Sequence, residues 1–409
     1  MRTKNSLRWL IPCAAALLLQ GCERSSGDFV NAEWHRKDLS AHLARWVAVS
    51  PTPSGLMQGA FDRSWKAVPG AGNDLTAHSR IVYTLIAGYE ATGDKRYEVA
   101  ARHGADFLLQ HFRDPQYGGF YRLVDANGKV LDETKNTYSH AFVVLALAHM
   151  GRVTGDERYK KAALSAWHDV RDKLRDRDGG FRHATGRDFA SGGDGLHSQN
   201  HVMHIFEALL ALLDATGDAS VMKDAREVGD FVLYKLMVGL PSGAAYIPEW
   251  YDEHWKPLTS RDKGGFIDIG HQFEWIHLLR TAEQRGLPPL YADVSERLLR
   301  YAVATGYDES DGGVYSRVYP DGEVDRNKYW WPQAEGMRAF LAVGDRPDMA
   351  RRYRQTLDLV DAEMLDRANG GWFNGARRTC AAGHCGNEQP EPYHLVGMDL
   401  AALKAAPSP

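Results

Sequence analysis

A chain of 409 residues, 44% hydrophobic and 25% charged, can bury a large core and lies far from the composition of disordered proteins. Its 49 basic side chains face 53 acidic ones, a formal charge of −4, so no field gathers a nucleic-acid backbone. A polyanion partner is therefore not expected.

At the start of the chain, Arg2, Lys4 and Arg8 precede an apolar run over 9–19, and Gln20-Gly21 stands directly before Cys22. This charged, apolar, small order predicts a bacterial secretory signal over 1–21. With Cys22 after Leu19-Gln20-Gly21 it resembles a lipobox, which implies a lipidated Cys22, a linker over 22–38 and a single catalytic domain over 39–409. The expected location is the cell envelope, facing the periplasm and touching the membrane only through the lipid. The run is short for a span of about 20 residues. A cut signal with an incidental cysteine is the plainer alternative.

Thr92-Gly93-Asp94, Thr154-Gly155-Asp156 and Thr216-Gly217-Asp218 recur 62 residues apart. Each follows an apolar helical stretch (80–91, 140–153, 200–215), and the first two precede a second helix (95–112, 157–175). Gly stops one helix and Asp opens the next, so the unit is a helical hairpin. Gly118-Gly119-Phe120, Gly179-Gly180-Phe181, Gly312-Gly313-Val314 and Gly370-Gly371-Trp372 mark the other end, where paired glycines admit φ > 0 before a short strand. Six units of this length would use nearly the whole chain after the signal. The expected fold is all-α, one ring of six hairpins with short strands and loops over one mouth; an open solenoid is the competing arrangement.

The inner helices of such a ring should read as apolar, yet several carry polar side chains on one face. Asn200, His204 and Glu207 stand at i, i+4 and i+7; His271 and Glu274 are three apart, and Trp331 and Glu335 four apart. Arg80 precedes an apolar run, as do Tyr138 and His140. A single histidine on an apolar helix is ordinarily a satisfied core residue. Recurrence at one register in successive hairpins instead aims these groups at a shared cavity, where buried charge must be paired or used. Trp and Tyr among Asn, Arg and Glu suit a sugar, and imidazoles titrate where proton transfer at an acidic C–H needs them. No motif demands a metal or nucleotide, so no cofactor is expected.

Taken together, these residues resemble the N-acylglucosamine 2-epimerase superfamily, which includes cellobiose 2-epimerases and the mannose and sulfoquinovose isomerases. The resemblance runs from about Leu39 to the C-terminus. It is carried by Arg80 with Tyr83, Tyr138 with His140-Ala141-Phe142, Asn200 through Met203-His204 to Glu207-Ala208, Gly270-His271 with Glu274, Trp331 through Gln333 to Glu335, and Pro392-Tyr393-His394. It implies an (α/α)6 barrel acting on a reducing sugar through a cis-enediolate. His271 and His394 would be the acid/base pair at C2, His204 would assist ring opening and Arg80 would bind the developing oxyanion. Tyr138, Asn200, Glu274, Trp331 and Glu335 would position substrate and orient the histidines. Only His271 of the acid/base pair stands out without the resemblance; Pro392-Tyr393-His394 has no repeat to frame it.

Two departures lean toward a monosaccharide aldose-ketose isomerase. Glu388-Gln389-Pro390-Glu391 holds no aromatic where cellobiose epimerases carry Trp, and position 277 is His277 where those enzymes tend to have Trp. Cys380 and Cys385, five apart, suggest a local disulfide, with zinc through His384 as the weaker reading because a fourth ligand is lacking. A glycan hydrolase or lyase using Glu274 and Glu335 as opposed carboxylates, or a sugar-binding lipoprotein without catalysis, are the alternatives.

Overall fold

The computed structural model describes residues 29–192, 195–378 and 386–407. The signal, Cys22, Cys380 and Cys385 lie outside the described residues. Six helices form an inner ring: α2 (Leu75–Thr92), α4 (Thr137–Thr154), α6 (Gln199–Thr216), α8 (Ile269–Gln284), α10 (Trp330–Ala342) and α12 (Pro392–Ala405). Six surround them: α1 (Ala32–Val49), α3 (Lys95–Phe107), α5 (Glu157–Lys173), α7 (Ala219–Phe231), α9 (Leu290–Gly306) and α11 (Pro347–Glu363). Each inner helix packs on the next and α12 returns to α2, so the ring is closed and the solenoid is excluded.

Five hairpins are continuous in sequence, whereas the sixth joins the two ends of the chain, because α1 packs on α12. The α1 helix starts at Ala32 and buries His35, Leu39, Leu43 and Trp46. Residues 32–38 therefore belong to the barrel, not to the linker expected over 22–38. Buried His35 fastens this seam, with Nδ1 on Asp399 at 2.7 Å and Nε2 on the Tyr353 hydroxyl at 2.5 Å.

The repeated Thr-Gly-Asp turns have a direct physical cause. Gly93, Gly155 and Gly217 end α2, α4 and α6 in the left-handed region, at φ of 72°, 69° and 63°. Asp94, Asp156 and Asp218 then accept the N–H groups of Arg96, Arg158 and Ser220 and open α3, α5 and α7. The glycine pairs are less uniform than the sequence suggests. Gly119 needs its φ of 64°, but Gly180 has no positive φ; there a Cβ would lie 2.3 Å from the Trp255 ring, so close packing is the reason for glycine.

A set of buried polar side chains on the inner helices staples them to the loops. The Met57 and Phe120 N–H groups donate to His78 Nδ1 and His140 Nε2, and His201 Nε2 meets the Phe181 carbonyl. Gln272 and Gln333 each accept a loop N–H, from Ile247 and Val314, and donate back to the carbonyl of the same residue. These groups satisfy backbone that would otherwise be buried unpaired.

Short antiparallel pairs sit among the loops at the N-terminal ends of the inner helices. Lys135 faces Thr185, His197 faces Tyr251, and Arg317 lies between Asp268 and Asp325. Toward the opposite end, residues of all six inner helices line an open cavity of about 490 Å³. Among the described residues no helix is long and apolar enough to cross a membrane.

Candidate active site

The first two turns of the inner helices converge on one mouth, and the candidate residues come from them. His271 and Glu274 are on α8, Trp331 and Glu335 on α10, and His394 on α12, with Arg80, Tyr138 and His204 on α2, α4 and α6. The positive ends of six helix dipoles point to this place, which favours a developing negative charge.

His271 and His394 lie against the same indole. Their ring centroids are 4.9 and 5.6 Å from that of Trp331, so the two imidazoles are no farther apart than the sum of those contacts. Both are at least nine-tenths buried. In each the Nδ1 is held by a carboxylate: His271 by Glu249 Oε2 at 2.7 Å, His394 by Glu335 Oε1 at 2.8 Å. Each Nε2 is thereby left for a substrate atom.

Similar contacts give opposite charges. Burial alone would push His271 down, but the carboxylates of Glu249 and Asp268 outweigh it and raise the imidazole to about 10. For His394, burial wins over the Glu335 carboxylate and lowers the pKa. Arg80 also pushes His394 down, whereas Asp268 and Glu274 add to Glu249 in raising His271. Arg338 engages the same carboxylate as His394. Its Nη1 donates to both oxygens of Glu335, at 2.9 and 3.1 Å, and holds that carboxyl well below the usual carboxylate range. Glu249 instead accepts from two neutral donors, Ser198 Oγ at 3.0 Å and Gln199 Nε2 at 2.8 Å. At neutral pH the site therefore holds an imidazolium at 271 and a neutral imidazole at 394.

His204 adjoins this pair. Its Nδ1 meets Glu207 at 3.0 Å, its ring packs on Tyr138 and Phe142, and burial lowers it to about 4. The Tyr393 hydroxyl also donates to Glu207. Glu274 does not orient a histidine as expected. Its nearest imidazole is His204, at 3.9 Å, and neither carboxyl oxygen has a hydrogen-bond partner. Burial, with the charges of Glu335 and Glu207, pushes it well above the usual carboxylate range, which favours the neutral acid. Asn200 Oδ1 is likewise buried without a partner.

Arg80 spans the mouth between Glu391 and Tyr138, donating to each at 2.6 and 2.5 Å. Its guanidinium lies 4.1 Å from the Phe142 ring centroid. Two carboxylate–histidine groups, His204/Glu207/Glu274 and Glu274/Glu335/His394, bring potential metal ligands within 4.8 Å. Glu207 and Glu335 are already spent on Tyr393 and Arg338, and the Arg338 guanidinium stands where a cation would be repelled. The same engagement removes Glu335 from a hydrolytic pair with Glu274.

Sequence reasoning gave no role to four supporting residues. Arg338 lies three beyond Glu335 on one helix face, a readable ion-pair spacing. Tyr393 lies within the motif that contains His394, and Glu391 immediately precedes it. Glu249 sits in a loop with no period, and no sequence signal points to it.

The N-acylglucosamine 2-epimerase (GlcNAc 2-epimerase) family model matches residues 55–397. The chain belongs to this family. It is 30% identical over 403 residues to the D-mannose isomerase of Thermobifida fusca, covering 91% of this chain and 96% of that protein. The cellobiose 2-epimerase of Eubacterium cellulosolvens is 26% identical, covering 89% and 95%. A crystal structure of a D-mannose isomerase superposes with a TM-score of 0.80 at 23% identity, covering 91% of this chain and 97% of that one, which establishes the (α/α)6 barrel. The family member described here is thus an enzyme of the sugar isomerase and epimerase class.

Proposed function

We propose that the protein is a cofactor-independent aldose-ketose isomerase of the mannose-isomerase type, moving a proton at C2 of an open-chain monosaccharide through a cis-enediolate. One observation carries this reading: two imidazoles with free Nε2 atoms and opposite resting charge flank a single indole. Neutral His394 takes the C2 proton as general base while protonated His271 donates to the carbonyl oxygen as general acid; His394 then delivers its proton to C1 and His271 takes the O2 hydroxyl proton, which forms the ketose and restores both rings. Arg80 and the converging helix N-termini stabilise the enediolate. Glu274 and Asn200 take sugar hydroxyls, and Trp331 stacks on the carbon face. His204, backed by Glu207, relays the ring-opening proton. Signal cleavage and lipidation at Cys22 would place the enzyme on the periplasmic side of the envelope.

A 2-epimerase would need the same charge asymmetry, with His271 returning the proton to the other face. The missing aromatic over Glu388–Glu391 and the identity to the mannose isomerase favour the isomerase. Proton NMR of a panel of reducing sugars in heavy water separates them, because only isomerisation yields a ketose as the principal product. His271→Ala and His394→Ala should each lower C2 exchange by at least about 1000-fold with the helical circular dichroism unchanged. Retained exchange in both variants would overturn the proposal.

A further inference from the structure

The mouth contains a charge pair that the acid/base chemistry does not require. Glu391 is the residue before α12, and its Oε1 accepts the Tyr393 N–H at 3.0 Å, capping the helix that carries His394. Its Oε2 reaches across the ring closure to Arg80 Nη1 on α2. Arg80 Nη2 is taken by the Tyr138 hydroxyl, and the guanidinium packs on the rings of Phe142 and Tyr393. Both partners keep some exposure, 13% for Arg80 and 19% for Glu391, so the pair faces the mouth. A cation meant only to attract anions would keep its charge unmatched. Here a carboxylate from another element cancels it in the ground state and fixes the plane of the fork.

We infer that Glu391 is a positioning and specificity-determining residue, which compensates Arg80 so that the site takes a sugar neutral around C1 and C2 and excludes sugar acids ionised there. This rests on the reading of Arg80 as the group beside the reacting oxygens. Glu391 holds the guanidinium where the oxyanion forms; a stable carboxylate at the same place must compete with the Glu391 carboxylate for it. Neutral aldoses meet no such competition. Catalysis gains orientation, while affinity for a resident anion is given up.

The test separates the ion pair from the helix cap. Glu391→Asn keeps a favoured capping residue and removes the charge, whereas Glu391→Asp keeps cap and charge. The probe is D-mannonate, with a carboxylate at C1, and binding is measured by calorimetry on the full-length protein. Glu391→Asn should bind it about tenfold more tightly than wild type, while kcat for the aldose falls about tenfold. Glu391→Asp should stay within about threefold of wild type in binding. Adding Arg80→Gln to Glu391→Asn should abolish the gain. A purely structural role would weaken both binding and turnover, so unchanged or weaker mannonate binding in Glu391→Asn overturns the inference. Calorimetry does not depend on turnover: absence of C2 exchange in the wild type would defeat the proposed isomerisation and still leave charge compensation decided by the mannonate data.

Discussion

The α8 and α12 walls of the site are built alike and behave differently. Each presents a first-turn histidine whose Nδ1 meets a buried carboxylate, at 2.7 and 2.8 Å. One imidazole is raised to about 10 and the other is lowered. The difference lies in the charges around each contact: Asp268 and Glu274 add to Glu249 at His271, whereas Arg80 opposes Glu335 at His394, and Glu335 also answers to the Arg338 guanidinium. A histidine–carboxylate distance therefore does not set the charge of the histidine. The surrounding charges do, and here they divide the pair into an acid and a base before substrate arrives.

The most severe way to erase the contrast is Glu249→Gln. Burial then acts on His271 with its strongest raising charge removed, and the imidazole loses its proton near neutral pH. The alkaline limb of kcat/KM should move to lower pH, with a loss of about 100-fold at pH 8 and a smaller one at pH 6. A loss independent of pH would place Glu249 in folding rather than in holding the imidazolium.

The converse change is Arg338→Gln. Without the guanidinium the Glu335 carboxylate is no longer held so low, and its charge acts on His394 alone. His394 is then protonated more readily, so the acid limb of kcat/KM should rise by about one pH unit, costing about tenfold at pH 6 and little at pH 8. An acid limb that stays in place would show that Arg338 does not set the basicity of His394.

How the two walls arise was partly legible in the sequence. The 62-residue spacing and the Gly and Asp caps led to the closed ring, because capping depends on local backbone geometry. The α1–α12 seam was not legible, since its partners lie at opposite ends of the chain and share no repeat. Histidine roles were divided. His271 stood out beside Glu274, but the sequence could not separate His204, which faces the site, from His140, which staples a loop; both sit on apolar helices. Their difference is a matter of helix face and of a loop N–H arriving from elsewhere. Glu249 was invisible because loop residues carry no periodicity, although it sets the charge of His271.

The stapling histidines give the gentlest test, because they are the background against which the active pair is exceptional. Burial lowers His78 and His140 to about 4 and His201 to about 3, so the folded protein holds them neutral. The unfolded chain binds protons on them below about pH 6.5, so their contribution is present above that pH and is lost as pH falls toward 4. His271 has the opposite sign. Its folded pKa is raised, so its stabilisation is complete below about 6.5 and is lost as pH rises through about 10. Melting temperature should peak near neutrality, with the acid slope owed to the buried neutral histidines, the staples among them, and the alkaline slope to His271. Gln272 and Gln333 already do on α8 and α10 what His140 does on α4. His140→Gln should therefore keep C2 exchange and shift the melting temperature by no more than about 2 °C at pH 7, while making the acid slope shallower. Loss of exchange in that variant would move His140 from the scaffold into the site and remove the distinction between the two histidine sets.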